Sequence, residues 1–127
     1  MAGERTGADR EDAPGRDALG TTDLRGTTIV FDLDGTLCET HGRRYEDARP
    51  YRDRIAAVNR LAARGATIVI DSARGSLTGE DWQARTEAQL RAWGLDAARV
   101  RTGVKVAGAV YVDDKACRPE TFFQEEH

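Results

Sequence analysis

Residues 29–37 read Ile-Val-Phe-Asp-Leu-Asp-Gly-Thr-Leu. The apolar run Ile29-Val30-Phe31 is continuous rather than alternating, the mark of a buried strand in a parallel sheet. A strand over roughly 28–33 therefore ends on two carboxylates, Asp32 and Asp34, and the Gly35-Thr36 turn follows. In open α/β sheets, ligands bind at the C-terminal ends of the strands. Two acids and a tight turn at that position do little for packing and suit chemistry.

Outward from this stretch, strands and amphipathic helices alternate. After the polar segment Cys38 to Arg49, Pro50 stands where a helix can begin, and Ile55, Val58, Leu61 and Ala62 give that helix an apolar face. Gly65 stops it. A second β-rich run, Thr67 to Ile70, ends at Asp71-Ser72-Ala73-Arg74-Gly75. A second helix is expected over about 79–93, with Thr78 as N-cap, Asp81 closing a capping box, and Leu77 and Trp82 forming a hydrophobic staple. Trp82, Thr86, Leu90 and Trp93 recur at helical spacing and read as core positions. Short strands are expected near 99–102 and over Ala109 to Val112, the latter ending at Asp113-Asp114-Lys115. Phe122 and Phe123 read as a closing segment. The pattern predicts an α/β fold of Rossmann-like, three-layer α/β/α form, with a central parallel sheet and helices on both faces.

The 127 residues suffice for one modest domain. Residues 1–26 hold ten charged residues, five glycines and few large apolar side chains, and read as a disordered, inert tail. The domain is expected over 27–127. No apolar leader and no membrane-length stretch is present in the sequence, and Cys38 and Cys117 lack metal or redox spacing, so a reduced, cytoplasmic setting is expected. Cys38 reads first as a small semi-buried side chain and second as a reactive thiol. The 19 basic and 22 acidic residues are well mixed, which argues against nucleic acid and against a membrane surface as partner.

Parallel strands bring their C-terminal ends to one edge. Asp32 and Asp34, Ser72 and Arg74, and Asp113 and Asp114 should therefore converge. Four carboxylates in one place repel unless a cation sits among them, and oxygen ligands point to Mg²⁺. A Mg²⁺ site with few protein ligands commonly awaits a phosphate. The Gly35-Thr36 turn could offer backbone N–H groups to an anion. Ser72 offers a hydroxyl, and Lys105 a point charge.

This constellation resembles the haloacid dehalogenase-like (HAD) phosphatase superfamily. Asp32-Leu33-Asp34-Gly35-Thr36 matches its first motif, Ser72 its second, Lys105 its third and Asp113-Asp114 its fourth, in order over residues 29–125. The stretches Tyr45-Glu46-Asp47-Ala48-Arg49-Pro50, Ala73-Arg74-Gly75, Thr78-Gly79-Glu80-Asp81-Trp82 and Tyr111 to Ala116 resemble a bacterial subgroup, the capsular polysaccharide biosynthesis phosphatase-like proteins. Lys105 departs from the pattern in lying within Val104-Lys105-Val106 rather than Gly-Lys-Pro. Gly108-Ala109 stands where an Asp is often found, and Asp71 where an apolar residue is usual.

The resemblance implies a HAD-like core and a phosphomonoester hydrolase. In it Asp32 attacks phosphorus and Asp34 is the acid/base. Asp32, the Asp34 carbonyl, Asp113 and Asp114 (directly or through water) hold Mg²⁺, and Ser72 and Lys105 hold the phosphoryl oxygens. Gly35, Thr36, Ala73, Arg74, Arg43 and Arg44 are its candidate substrate contacts. Arg43 and Arg44 read first as part of a solvated loop and second as substrate contacts, and Asp114 reads equally as a helix N-cap. The segment Cys38 to Arg49 is too short for a cap domain, so the implied enzyme is capless, with a site open unless a second copy covers it. Its implied substrate is a small phosphorylated metabolite such as a sugar phosphate, as in polysaccharide assembly. The alternatives are a macromolecular phosphate, on a nucleic-acid end or a phosphoprotein, and a non-catalytic phosphate-binding domain of the same fold.

Overall fold

The structure, a computed structural model, describes residues 23–105, 110 and 115–125. Three strands form a parallel sheet in the order β1 (Thr28–Phe31), β4 (Thr67–Asp71), β5 (Arg99–Arg101). The helix α1 (Arg52–Ala63) joins the first two, and α2 (Gln83–Ala92) joins the last two. Both crossovers step in the same direction across the sheet, and right-handed connections then place both helices on one face. A single core records this: Phe31, Ile68 and Ile70 of the sheet, Ile55, Val58 and Leu61 of α1, and Leu90 of α2 are buried together. Register reinforces it, since Ile29 pairs with Ile68 and Phe31 with Ile70.

The α/β class is as expected. Among the described residues the sheet carries helices on one face only. On the other, Thr28 and Thr67 are exposed and Val30 is 56% exposed. Val30 supplied the apolar continuity that reads as two-sided burial, but β-branched residues also favour strands without burial. Of the expected strand over Ala109 to Val112 only Val110 is described, 89% exposed and in no strand; the other three residues lie outside the described residues.

Local details follow from long-range contacts. Between β1 and α1 stand only β2 (Cys38–Glu39), a 3₁₀ turn (Tyr45–Asp47) and β3 (Arg49–Pro50). Pro50 does not open α1. It pairs with Cys38 across the β2–β3 ladder, and the Tyr51 amide donates to Leu37 O at 2.9 Å, so the helix begins at Arg52. Helix α2 begins later than expected as well. Turns run from Ala73 to Gly79, the Thr78 hydroxyl accepts from the Glu80 amide, and Asp81 accepts from the Gln83 amide. The capping box is thus split into two local turns, and Leu77 is 68% exposed instead of stapled.

The expected tail over 1–26 ends too late. Residues 1–22 lie outside the described residues, but Leu24 is buried and its amide donates to Arg64 O at 2.9 Å. One apolar side chain inside a polar stretch docks there on the end of α1. At the other terminus α3 (Pro119–Phe122) closes the core, with Phe122 edge-on and Phe123 stacked on Phe31. No helix among the described residues is long and apolar enough to cross a membrane.

Candidate active site

The ends of β1 and β4 lie side by side, because Phe31 is in register with Ile70. Asp32 and Asp34 therefore emerge next to Ser72 and Arg74. The chain leaving β5 runs along the same edge: the Ser72 amide donates to Arg101 O at 2.9 Å, and the Val104 amide to Ser72 O at 3.2 Å. Those bonds carry Lys105 to the site without a strand beneath it. Its ammonium lies 3.2 Å from Asp32 Oδ1. The other oxygen of Asp32 accepts from the Thr36 hydroxyl at 3.3 Å. Asp32 keeps 37% of its side chain exposed, so its oxygens are accessible to an incoming group.

Asp34 is held quite differently. The Arg74 guanidinium grips it as a fork, Nε to Oδ2 and Nη2 to Oδ1, both at 2.9 Å. The Thr40 hydroxyl adds a 2.5 Å bond and the Cys38 thiol a 3.5 Å contact, both to Oδ1. Burial pushes the Asp34 carboxyl up. The Arg74 and Thr40 hydrogen bonds, the Arg74 charge and the Cys38 contact outweigh it and leave Asp34 below the usual carboxylate value. Cys38, read first as a small semi-buried side chain, is fully buried. That burial pushes its thiol up to about 11, with the Asp34 charge adding to the effect, so it is an unreactive neutral group.

Arg74 is the main correction to the expected site. As a candidate substrate contact it should face outward, yet its side chain is only 1% exposed. Its remaining donors meet Thr86 Oγ1 at 3.2 Å and Gln89 Oε1 at 2.7 Å, and its guanidinium lies 4.8 Å over the Tyr45 ring. A buried guanidinium needs a charge partner and filled donors, and this one has both. Gln89 in turn donates to Tyr45 O, which ties α2 to the 3₁₀ turn.

Two further expectations change. The Gly35 and Thr36 amides donate to Cys38 O and Leu33 O at 2.8 and 3.0 Å, so neither is left for an anion. The tight turn uses these donors to close itself. Arg44 pairs with Asp47 at 3.2 Å along the exposed 3₁₀ turn. Arg43 and Ala73, by contrast, line a cavity of about 220 Å³ with Tyr45, Gly75, Leu77, Thr78, Glu80 and Trp82. Asp32, Asp34 and Lys105 do not line it. Trp82 is core and cavity wall at once: it is 7% exposed, with Arg85 stacked at 3.6 Å and Tyr45 against it.

Ser72 stands at the end of β4 as expected but is buried, 1% exposed, its hydroxyl accepting from the Arg74 amide at 3.1 Å. The departure at Asp71 has a local cause. Its register partner is Arg101, which donates two hydrogen bonds to it, Nε to Oδ1 and Nη2 to Oδ2, both at 2.7 Å. Asp113 and Asp114 lie outside the described residues. Among the described residues no group of three metal-ligating side chains occurs. The accessible, oxygen-only Asp32 carboxylate nevertheless suits a hard cation such as Mg²⁺.

Sequence reasoning missed Thr40, Arg54 and Gln89, and read Thr86 only as a core position. Thr86 and Gln89 are three apart on α2, a spacing that puts both on one helix face, and this is the one signal that pairs them.

No family model matches the sequence, and no curated protein matches it. Among solved structures, the chain is similar to a crystal structure of a target protein from Vibrio cholerae, at 25% identity and a TM-score of 0.68. The likeness covers 79% of this chain and 89% of that one.

Proposed function

We propose that the chain is a Mg²⁺-dependent phosphomonoester hydrolase with a capless HAD-like core. The observation that carries this reading is the partly exposed Asp32 carboxylate with Lys105 at 3.2 Å and Asp34 two residues on. A carboxylate is ionised at neutral pH and needs no base to act as a nucleophile. Asp32 forms a bond to phosphorus as the bond to the leaving oxygen breaks, giving an aspartyl-phosphate. The acid form of Asp34, a minor fraction because Arg74 favours the anion, gives its proton to that oxygen and is left a carboxylate. It then takes one from the water that attacks phosphorus and frees phosphate and Asp32. The Lys105 ammonium offsets the repulsion between two anions and binds a phosphoryl oxygen, and Ser72 hydrogen-bonds another. Asp32 and the Asp34 carbonyl would hold Mg²⁺ together with Asp113 and Asp114. The ion supplies neutralisation of phosphoryl charge. Arg74 fixes the plane of Asp34. The substrate is a small phosphorylated metabolite, a sugar phosphate or a relative of one, whose leaving group the short β2–β3 segment leaves room to enter.

A second reading, a non-catalytic phosphate-binding domain, is favoured by one feature. Both Asp34 oxygens are committed to Arg74, which holds an acid/base group in place as an anion. Turnover of p-nitrophenyl phosphate with and without Mg²⁺, beside Asp32→Asn, separates the two. Hydrolysis that needs Mg²⁺ and vanishes in the variant supports the enzyme. Inactivity across a sugar-phosphate and aryl-phosphate panel, with phosphate still bound, supports the binding domain.

A further inference from the structure

Arg54 projects from the first turn of α1 and is nearly buried, with 12% of its side chain exposed. Its Nε and Nη2 fork onto Glu125 at 2.9 and 2.5 Å, and its Nη1 donates to Thr36 O at 2.9 Å. The rings of Tyr51 and Phe123 flank it, at 4.9 and 5.5 Å. Thr36 is the residue whose hydroxyl meets Asp32 Oδ2. The next carbonyl, Leu37 O, is pinned by the Tyr51 amide. We propose that Arg54 is a positioning residue for Asp32, and that the C-terminal segment bearing Phe123 and Glu125 is the latch that holds it. This rests on the reading of Asp32 as the nucleophile.

The chain of contacts has a direction. Glu125 neutralises a guanidinium that water reaches only in part, and planar fork geometry leaves that guanidinium one orientation. Its remaining donor then fixes the Thr36 peptide, and through the Thr36 side chain one rotamer of Asp32. A small misplacement of a nucleophile lowers the rate of the chemical step far more than it weakens binding.

The test compares wild type, Arg54→Lys and Glu125→Gln in the full chain, with p-nitrophenyl phosphate and Mg²⁺. Lysine keeps the charge and loses the fork. Expected is a kcat lower by about 10- to 100-fold with KM within about 2-fold, at a temperature where each variant is folded by circular dichroism. A second readout needs no turnover: in ¹H–¹⁵N spectra the Asp32 and Thr36 amides should shift or broaden in both variants while Ile68 and Val58 stay. Unchanged kcat in active protein, or unmoved Asp32 and Thr36 signals, overturns the proposal. If wild type shows no turnover but the spectra change as expected, the positioning stands and the hydrolase reading fails.

Discussion

Replacing Arg74 with methionine removes the positive half of the best-buried ion pair in the described fold. Asp34 would keep the Thr40 hydroxyl and the Cys38 thiol and lose both guanidinium bonds. Thr86 Oγ1 and Gln89 Oε1 would each lose a donor. Breaking a buried pair from one side costs about 3–5 kcal/mol. Asp34 is 25% exposed, so water relieves part of that and the lower end, about 3 kcal/mol, is expected. For a domain of this size that is a fall in Tm of about 12 °C. Thermal unfolding followed by circular dichroism reads it directly. Arg74→Met with Asp34→Asn tests the cause: the double variant has no stranded anion and should recover most of the loss, giving strong coupling in the cycle. The pair is also acid-sensitive. The Arg74 fork holds Asp34 below the usual carboxylate range, so its contribution is whole above that range and is lost as pH falls through the lower folded value. Wild type should therefore lose its advantage over Arg74→Met on the acid limb. A loss under about 1 kcal/mol in Arg74→Met, or additivity with Asp34→Asn, refutes the clamp.

Native protein at pH 8 should alkylate with iodoacetamide at exposed Cys117 and not at Cys38, whose thiol is buried and pushed up to about 11; both should react in urea, as peptide mass spectrometry can show. Gly75→Ala should destabilise by about 2 kcal/mol or more, because φ is +86° and the new Cβ would stand 2.1 Å from Glu80 O, a backbone atom that cannot swing away. Denaturant melts measure that. Phe123→Ala removes a ring that is 6% exposed and stacked on Phe31, and should cost about 3 kcal/mol in the same assay.

What could be read in the sequence was what a strand or helix settles within itself. Thr67 to Asp71 and Arg99 to Arg101 form strands where expected, and Ile55, Val58 and Leu61 face the core. The positions of Asp32, Asp34 and Ser72 follow, since parallel strands align their ends. What could not be read was decided by partners far along the chain. Arg74 looks like any loop arginine until β1 delivers Asp34 to it, across 40 residues. Arg54 depends on Glu125, 71 residues away. Pro50 has the chemistry of a helix start, and the Cys38 ladder takes it first. Leu24 looks like part of a polar tail because a single apolar residue has no periodicity. The amides of Gly35 and Thr36 could serve an anion or the turn itself, and only the folded turn decides between them.

The role of Asp32 is tested most directly by trapping the phosphoenzyme. Protein is mixed with ³²P-labelled acetyl phosphate and Mg²⁺, quenched in acid within milliseconds, digested and mapped by mass spectrometry. Label on Asp32, absent without Mg²⁺ and absent in Asp32→Asn, is the expected result. Label on another residue, or hydrolysis that continues in Asp32→Asn, would contradict it.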